Sequence, residues 1–313
     1  MTYHTPFGLR NPHVQTILSS TLRKGRLRRS LREFLAATEE QIIPVAGVKL
    51  LVHTNLRPDA PHVLLIPGWL GTSGSSYTQS TAAALYAAGF STTRINLRDH
   101  GGTAHLNPGL FHSAQIDEVI ALVQHFAAQS PAGCGLVGYS LGGNFALRVA
   151  HALPEIRTLA IAPAIKPAAT MRTIDTNLIY QRYFLEKWRK VWREKQAAFP
   201  TRYDFTPAMN ISTVSALTDY FVSRYTPEFP STEAYFDAYD LSGSRLDGVD
   251  AHILVAQDDP IIPISHFIGL PASLTITTTE HGGHNAFLKD WQMTSWVDDY
   301  AVKYFEALNA HMS

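Results

Sequence analysis

The sequence predicts an α/β protein with one central, mostly parallel sheet, and three observations lead to this prediction. Short apolar runs alternate with helix-favouring stretches up to about residue 162 and again from residue 251 onward. The run 62–66 is almost continuously apolar, as expected of a strand that is buried on both faces. Charged residues make up only 17% of the 313 residues, which fits a sheet flanked by helices on both sides. Right-handed strand–helix–strand units would make most of the strands parallel.

The predicted elements follow in order along the chain. Strands are expected at 41–45 and 48–54, joined by a turn at Ala46-Gly47, and then at 62–66, 91–97, around Leu136, 156–162, 251–256 and 273–279. Helices are expected at 75–88, at 113–129 with Ser113 as its N-cap, at 144–152 and at 286–310. Functional residues should gather where the parallel strands end, because these ends lie at one edge of the sheet.

The alternation is interrupted between residues 163 and 250. This segment includes a long helical stretch at 175–198, lacks clear strands and holds 15 of the 33 aromatic residues of the chain. We therefore predict a core domain of residues 1–162 and 251–313, with an N-terminal extension at 1–40, and a helical cap at 163–250. The cap would be inserted before the strand at 251–256. Its aromatic residues either pack within a helical subdomain or line an apolar channel for substrate.

A cluster of basic residues lies near the N-terminus. Six of the ten residues from 23 to 32 are arginine or lysine. Leu27, Leu31, Phe34 and Leu35 would share the opposite face of a helix. The favoured interpretation is a helix that packs on the body of the protein, because its apolar stripe is only two turns long. The alternative is peripheral contact with an anionic membrane surface.

The composition and the first residues limit the partners and the compartment that are expected for this protein. Lys plus Arg and Asp plus Glu balance at 26 each, so no overall positive charge favours nucleic acid. The single cysteine, Cys134, rules out an internal disulfide and fits a reducing compartment. The first residues are not typical of a secretory signal, and no apolar run is long enough to span a membrane. These features predict a soluble, cytoplasmic protein.

The stretch 133–146 carries the strongest chemical signal. Gly138-Tyr139-Ser140-Leu141-Gly142 follows an apolar run and precedes a helix-favouring stretch, which predicts a sharp strand–turn–helix with Ser140 at its apex. Glycines on both sides let the strand and the helix pass close together, so that the serine hydroxyl stands clear of the backbone. The amide of Leu141 would lie at a helix N-terminus and could donate to an oxyanion. The pattern therefore predicts a serine nucleophile.

A serine nucleophile needs a base, and the base needs a group that fixes its tautomer. Asp258 and Asp259 follow the strand at 251–256, and His281 and His284 follow the last strand. Asp259 is the favoured acid because it directly precedes Pro260, with Asp258 as the alternative. His284, behind two glycines, is favoured over His281 as the base. Two histidines three residues apart, without a further ligand nearby, are a weak metal signal, so neither metal nor cofactor is predicted.

Five stretches together resemble one known family: 11–16, 67–71, 138–144, 258–260 and 282–285. With the order serine, acid, histidine, they are similar to the α/β-hydrolase superfamily and, within it, to the YheT-like branch of predicted esterases. The resemblance implies Ser140 as nucleophile, Asp259 as triad acid and His284 as base. It also implies that the backbone amides of Leu141 and Trp69 form the oxyanion hole.

Two positions depart from the family pattern. Pro67 stands where relatives often have histidine, before the first glycine of the oxyanion turn. Arg98-Asp99-His100-Gly101 stands where relatives often have Arg-Gly. Neither departure touches the triad, but both could alter substrate preference.

These features predict a carboxylic ester hydrolase that forms an acyl-enzyme on Ser140 and releases the acid with water activated by His284. The expected substrate is a small ester with an apolar acyl group. Two alternatives stay open: an acyltransferase that uses the same triad, and a non-catalytic binding protein on a hydrolase fold. A dinucleotide site is not expected, because the glycines at 133, 135 and 138 lie before or within the strand and not after it.

Overall fold

The computed structural model describes residues 2–309, and within that range eight strands form one sheet. The strands are β1 (Glu39–Val45), β2 (Val48–Asn55), β3 (His62–Ile66), β4 (Ser91–Ile95), β5 (Cys134–Tyr139), β6 (Arg157–Ile161), β7 (His252–Ala256) and β8 (Thr275–Thr279). Their order across the sheet is β1-β2-β4-β3-β5-β6-β7-β8. β2 is antiparallel to β1 and β4, and the remaining neighbours are parallel. The predicted mostly parallel α/β sheet is confirmed.

Eleven α-helices accompany the sheet within the same residues. They are α1 (Pro12–Ser20), α2 (Leu22–Ser30), α3 (Arg32–Ala36), α4 (Ser76–Ala87), α5 (Asp117–Ala127), α6 (Leu141–Ala152), α7 (Pro167–Asp175), α8 (Leu178–Ala198), α9 (Val214–Tyr225), α10 (Thr232–Asp237) and α11 (Trp296–Asn309). Among the described residues, no helix combines the length and the apolarity needed to cross a bilayer.

The apolar run of β3 is explained by helices on both faces of the sheet. Successive side chains of a strand point to opposite faces. Val63 and Leu65 pack in one apolar cluster with residues of α4 and α11, whereas Leu64 and Ile66 pack in a second cluster with residues of α5 and α6. All four side chains are fully buried. The parallel strands therefore end, as predicted, at one edge between two helical layers.

Residues 163–250, called the helical segment below, connect β6 to β7. They contain α7 to α10 and no β-strand. Much of their aromatic content is interior packing: Trp192 stacks on Phe205 with ring centroids 4.6 Å apart, and both side chains are buried. Trp188 lies against Trp192 at 5.0 Å and also contacts Trp69, which lies in the loop after β3, at 5.0 Å.

The N-terminal region differs from the expectation in two ways. α1 was not among the predicted helices; its N-cap is Asn11, whose side chain accepts the amides of His13 and Val14. The basic segment 23–32 is divided between α2 and α3. Arg23 is only 1% exposed, and its Nη2 donates to Asp298 Oδ2 at 3.0 Å, so this residue cannot take part in a membrane contact.

Two predicted helix starts are also wrong. α5 begins at Asp117 and not at Ser113, whose amide donates to the hydroxyl of Tyr235 instead of opening a helix. α11 begins at Trp296 and not at Ala286, because the side chain of Asp290 accepts the Thr294 amide at 3.0 Å and competes with helical hydrogen bonding. The predicted end of that helix, Ala310, lies outside the described residues.

Candidate active site

Ser140 occupies a constrained turn between β5 and α6. Its backbone has φ = 55° and ψ = −117°, a left-handed conformation that a non-glycine residue adopts only under constraint. A Cβ at Gly138 would overlap the carbonyl of Gly142, and a Cβ at Gly142 would overlap the carbonyls of the residues that end β3. The two glycines are thus required sterically, because strand, turn and helix pass within contact distance.

The turn 67–71 lies directly against the strand–turn–helix at residues 138–142, which is called the elbow below. A Cβ at Gly68 would stand 3.1 Å from Ser140 Cβ. Three amides of this turn already have acceptors: Gly68 donates to the Tyr77 hydroxyl at 3.0 Å, Leu70 to His100 Nε2 at 3.0 Å and Gly71 to the Gly68 carbonyl at 2.9 Å.

Trp69 is the member of this turn whose amide has no protein acceptor among residues 2–309. The amide of Leu141, the first residue of α6, likewise donates to no protein acceptor in the described part of the chain. A helix N-terminus also carries a partial positive charge. Two amide donors are therefore available beside Ser140.

Asp259 and His284 form a buried acid–base pair. Asp259 Oδ2 lies 2.8 Å from His284 Nδ1, and Asp259 Oδ1 accepts the amides of Ile261 and Ile262 at 2.8 and 2.9 Å. The Asp259 side chain is fully buried and that of His284 is 10% exposed. The carboxylate accepts the Nδ1–H of the imidazole, so this pairing leaves a lone pair on Nε2.

Asp258 faces a different histidine. Its Oδ2 lies 3.3 Å from His281 Nδ1, and its Oδ1 accepts the amide of Gly283 at 2.9 Å. Burial raises the pKa of the Asp258 carboxyl. The two acids and the two histidines therefore form two separate pairs, with neither carboxylate shared.

The serine and the histidine are not hydrogen-bonded in this arrangement. Within residues 2–309 no hydrogen bond joins the Ser140 hydroxyl to His284, whose described contacts are Asp259 through Nδ1 and Thr16 through its backbone amide. Contacts of this kind are commonly long without substrate and tighten when substrate binds.

Aromatic side chains of α8 cover the turn 67–71. Trp69 stacks on Phe184 with ring centroids 5.3 Å apart and meets Trp188 edge-to-face at 5.0 Å. Lys187, between them in sequence, donates to the carbonyl of Leu70 at 3.3 Å. The helical segment thus gives the neighbourhood of Ser140 an apolar wall.

The N-terminal segment contributes residues that the sequence analysis left without a role. Thr16 Oγ1 accepts the amide of His284 at 2.9 Å, and Gln15 Oε1 accepts the amide of Leu288 at 2.9 Å. His13 Nδ1 lies 2.9 Å from the hydroxyl of Tyr180 on α8. The pair Asn11-Pro12, an N-cap followed by proline at the first helical position, is the local signal that would have revealed α1.

A serine at a strained strand–helix turn, beside a buried acid–histidine pair on a mostly parallel sheet, defines a protein of the α/β-hydrolase class. Residues 63–294 match the profile of the Alpha/beta hydrolase family, which covers most of the chain. The chain belongs to this family, and the predicted resemblance to its YheT-like branch is confirmed.

Individual relatives are distant. The chain is 22% identical to the predicted esterase YheT of Escherichia coli (strain K12), over 96% of this chain and 93% of that protein. It is 21% identical to phospholipase ABHD3 of Mus musculus, over 80% of this chain and 64% of that protein. The crystal structure of serine hydrolase CCSP0084 from Cycloclasticus zankles matches the fold with a TM-score of 0.59 at 16% identity, covering 87% of this chain and 99% of that chain. The family and these relatives support a hydrolase.

Proposed function

We propose that this protein is a serine hydrolase that cleaves carboxylic esters through an acyl-enzyme on Ser140. The observation that carries the proposal is the buried pair of Asp259 and His284, 2.8 Å apart, in the loops that follow β7 and β8 at the same sheet edge as the Ser140 turn. A binding surface has no need of a carboxylate that fixes the tautomer of an imidazole. A general base does.

The proposed reaction has two halves. His284 Nε2 takes the proton of the Ser140 hydroxyl while the Ser140 oxygen attacks the ester carbonyl. The tetrahedral intermediate then collapses as His284 gives that proton to the departing alcohol. Water then attacks the acyl-enzyme with His284 again as base, and the acid leaves as Ser140 regains its proton. The Asp259 carboxylate, 2.8 Å from Nδ1, stabilises the imidazolium in both halves.

The amides of Trp69 and Leu141 are proposed to bind the oxyanion of each tetrahedral intermediate. Both lack protein acceptors among the described residues, and both lie beside Ser140. Donors that are already oriented in a partly buried site stabilise developing charge without reorganisation, and each donor contributes about 3 kcal/mol in comparable enzymes.

An apolar acyl group is proposed for the substrate, with the helical segment acting as the cap. Trp69, Phe184 and Trp188 form an aromatic wall next to the oxyanion donors. We expect kcat/KM to rise from acetate to medium-length nitrophenyl esters, because each buried methylene contributes about 0.8 kcal/mol. A maximum at acetate would contradict this preference.

Product analysis distinguishes the proposed hydrolase from two alternatives, an acyltransferase and a non-catalytic binding protein. An acyltransferase would form a new ester when an alcohol is added, in excess of the share expected from simple competition with water. A binding protein would form no product and no covalent adduct. The hydrolase and the transferase differ in deacylation alone, since both share the first half-reaction.

Contact with an anionic membrane surface through residues 24–32 is a separate hypothesis. Lys24, Arg26, Arg28, Arg29 and Arg32 are exposed, and Arg23 is excluded from it by burial. This hypothesis predicts that the protein co-sediments with phosphatidylserine vesicles in a salt-sensitive way. The double variant Arg28→Ala and Arg29→Ala should co-sediment less. Equal sedimentation of the variant would contradict it.

The first experiment is mass spectrometry after treatment with a fluorophosphonate, on the wild type and on Ser140→Ala. The proposal expects a single adduct on Ser140 that is absent from the alanine variant. Ester hydrolysis should fall to background in the same variant while its unfolding midpoint stays near that of the wild type. A correctly folded wild type without an adduct would overturn the proposed mechanism and favour the binding protein.

A further inference from the structure

The loop that follows β4 contacts the turn 67–71 through one buried imidazole. His100 is 2% exposed, and its Nε2 accepts the amide of Leu70 at 3.0 Å. Its Nδ1 lies 2.7 Å from the carbonyl of Arg98. Because a carbonyl only accepts, Nδ1 must carry the proton, and Nε2 is then the acceptor. Both ring nitrogens are thus satisfied in a single tautomer.

The loop around His100 is itself fixed from several sides. The ring packs edge-to-face against Phe111 with centroids 4.7 Å apart. The neighbouring Asp99 binds Lys195 of α8 at 2.7 Å, and Lys195 is fully buried. Burial lowers the pKa of His100 to about 4, so the imidazole is neutral, and able to accept, at neutral pH. The ring therefore has little freedom to move away from Leu70.

Leu70 is a residue that needs such support. Its φ is +56°, in the left-handed region that branched side chains avoid. The peptide before it carries the Trp69 carbonyl and the Leu70 amide, so the hydrogen bond to His100 fixes the orientation of that peptide. The Trp69 amide belongs to the preceding peptide of the same turn, whose Gly68 carbonyl accepts the Gly71 amide at 2.9 Å. On its other side, the Leu70 carbonyl accepts from Lys187 at 3.3 Å. The hydrogen bond from Leu70 to His100 thus helps to fix the conformation of the whole turn.

We propose that His100 is a positioning residue for the oxyanion hole: its Nε2 holds the Leu70 amide so that the neighbouring Trp69 amide points at the reacting carbonyl oxygen. This inference rests on the proposed function. It gives a specific role to a residue in the Arg98-Asp99-His100-Gly101 stretch, which departs from the family pattern. His100 does not touch the substrate; it acts through the backbone of the turn.

Two variants separate the two hydrogen bonds of the ring. His100→Gln places an amide oxygen near the position of Nε2 and can still accept from Leu70. His100→Asn places an amide N–H near the position of Nδ1 and keeps the bond to the Arg98 carbonyl, but it leaves Leu70 without an acceptor. We expect kcat to fall about 10- to 100-fold in His100→Asn with little change in KM, and to stay within about threefold of wild type in His100→Gln.

A transition-state analogue gives a second measurement. A trifluoromethyl ketone, which forms a tetrahedral oxyanion on the serine, should bind to His100→Asn more weakly by the same factor as kcat falls. A product carboxylic acid should bind both variants as it binds the wild type. Equal losses in the two variants, an unchanged kcat in His100→Asn, or a change confined to KM would each overturn the proposal.

The proposal stays testable if a variant does not fold, and it can fail separately from the proposed function. In the wild type, ¹⁵N NMR of the imidazole should show a protonated Nδ1 and a bare Nε2 that accepts a hydrogen bond; a protonated Nε2 would overturn the inference. Fluorophosphonate labelling of wild-type Ser140 tests the proposed function independently. If wild-type Ser140 were labelled and the kcat of His100→Asn equalled that of the wild type, only the inference about His100 would be contradicted.

Discussion

The elbow around Ser140 and the loops that face it are held in place in different ways. At the elbow the constraint is local and steric. Gly138 and Gly142 lie so close to neighbouring backbone that a methyl group would overlap it, and the serine between them is fixed by the strand before it and the helix after it. The overlap at Gly138 arises within the five residues 138–142, whereas the overlap at Gly142 is with the backbone of Ile66 and Pro67.

The turn 67–71 and the loop 281–285 are held from a distance. His100 lies about 30 residues after the turn 67–71 and accepts the amide of its Leu70. Thr16 lies 268 residues before His284 and accepts the His284 amide. These supports are hydrogen bonds and not steric exclusions. The comparison teaches that a local change at the elbow should damage the fold, whereas a change in a remote support should damage the rate.

The largest effect is expected from Asp259→Asn. The amide oxygen can keep the bonds from Ile261 and Ile262, but the amide N–H₂ would face His284 Nδ1 and force its proton onto Nε2. A histidine in that tautomer cannot accept the serine proton. We expect kcat to fall about 10⁴-fold, as such a change does in other serine–histidine–aspartate triads, with the unfolding midpoint nearly unchanged.

Asp258→Asn is the matched control for this prediction. The two acids are neighbours in one turn, yet Asp258 faces His281 and the amide of Gly283. An asparagine there can still accept the Gly283 amide, so we expect a loss of less than about 10-fold. A comparable loss in both variants would mean that the loop as a whole, and not one acid, supports the chemistry.

Gly142→Ala tests the steric side of the comparison. Its methyl group would overlap the carbonyls of Ile66 and Pro67, so strand and helix must move apart. Overpacking of this kind destabilises by about 1–3 kcal/mol, and the free energy of unfolding in urea should fall by about that amount, with activity lost in parallel. Gly25→Ala on α2, where nothing lies within 4 Å, is the control and should be neutral or slightly stabilising.

The elements with strong local signals were well predicted from the sequence. The bounds predicted for β3 agree with the structure, because an almost continuously apolar run of five residues between Pro61 and Pro67 has few alternatives. The strand–turn–helix at Ser140 was equally clear, since the motif lies in five consecutive residues and the overlap at Gly138 arises within them. The pairing of Asp259 with His284 was expected from position alone, and the structure brings these two side chains together.

The remote supports could not be predicted in this way. Nothing near His100 in the sequence indicates that its ring lies against Leu70, because that contact follows from the parallel pairing of β3 with β4. Residues 286–295 were expected to be helical, but the side chain of Asp290 accepts the Thr294 amide in a turn, and Trp291 is 57% exposed. A tertiary contact decided the first case, and a local hydrogen bond between a side chain and the backbone decided the second.

The smallest effect is expected from Thr16→Val, which tests the remote support of the histidine loop. Valine has nearly the shape of threonine, but it cannot accept the His284 amide, which Thr16 Oγ1 now accepts at 2.9 Å. Gln15 continues to hold the following residues through the amide of Leu288, so the loop should stay folded, but the backbone of His284 loses a restraint on its position. An amide left without an acceptor costs about 1–2 kcal/mol, and we expect kcat/KM to fall about 5- to 30-fold.

Thr16→Ser is the control for this prediction, because serine keeps the hydroxyl and should retain nearly all of the activity. The steric and the hydrogen-bonded supports then differ in what their loss disturbs. Gly142→Ala should lower the unfolding free energy and the activity together, whereas Thr16→Val should lower kcat/KM with a smaller change in stability. If Thr16→Val instead unfolded the protein as readily as Gly142→Ala, α1 would be part of the core on which the fold depends. The distinction between a locally held nucleophile and remotely held partners would then not apply to the histidine loop.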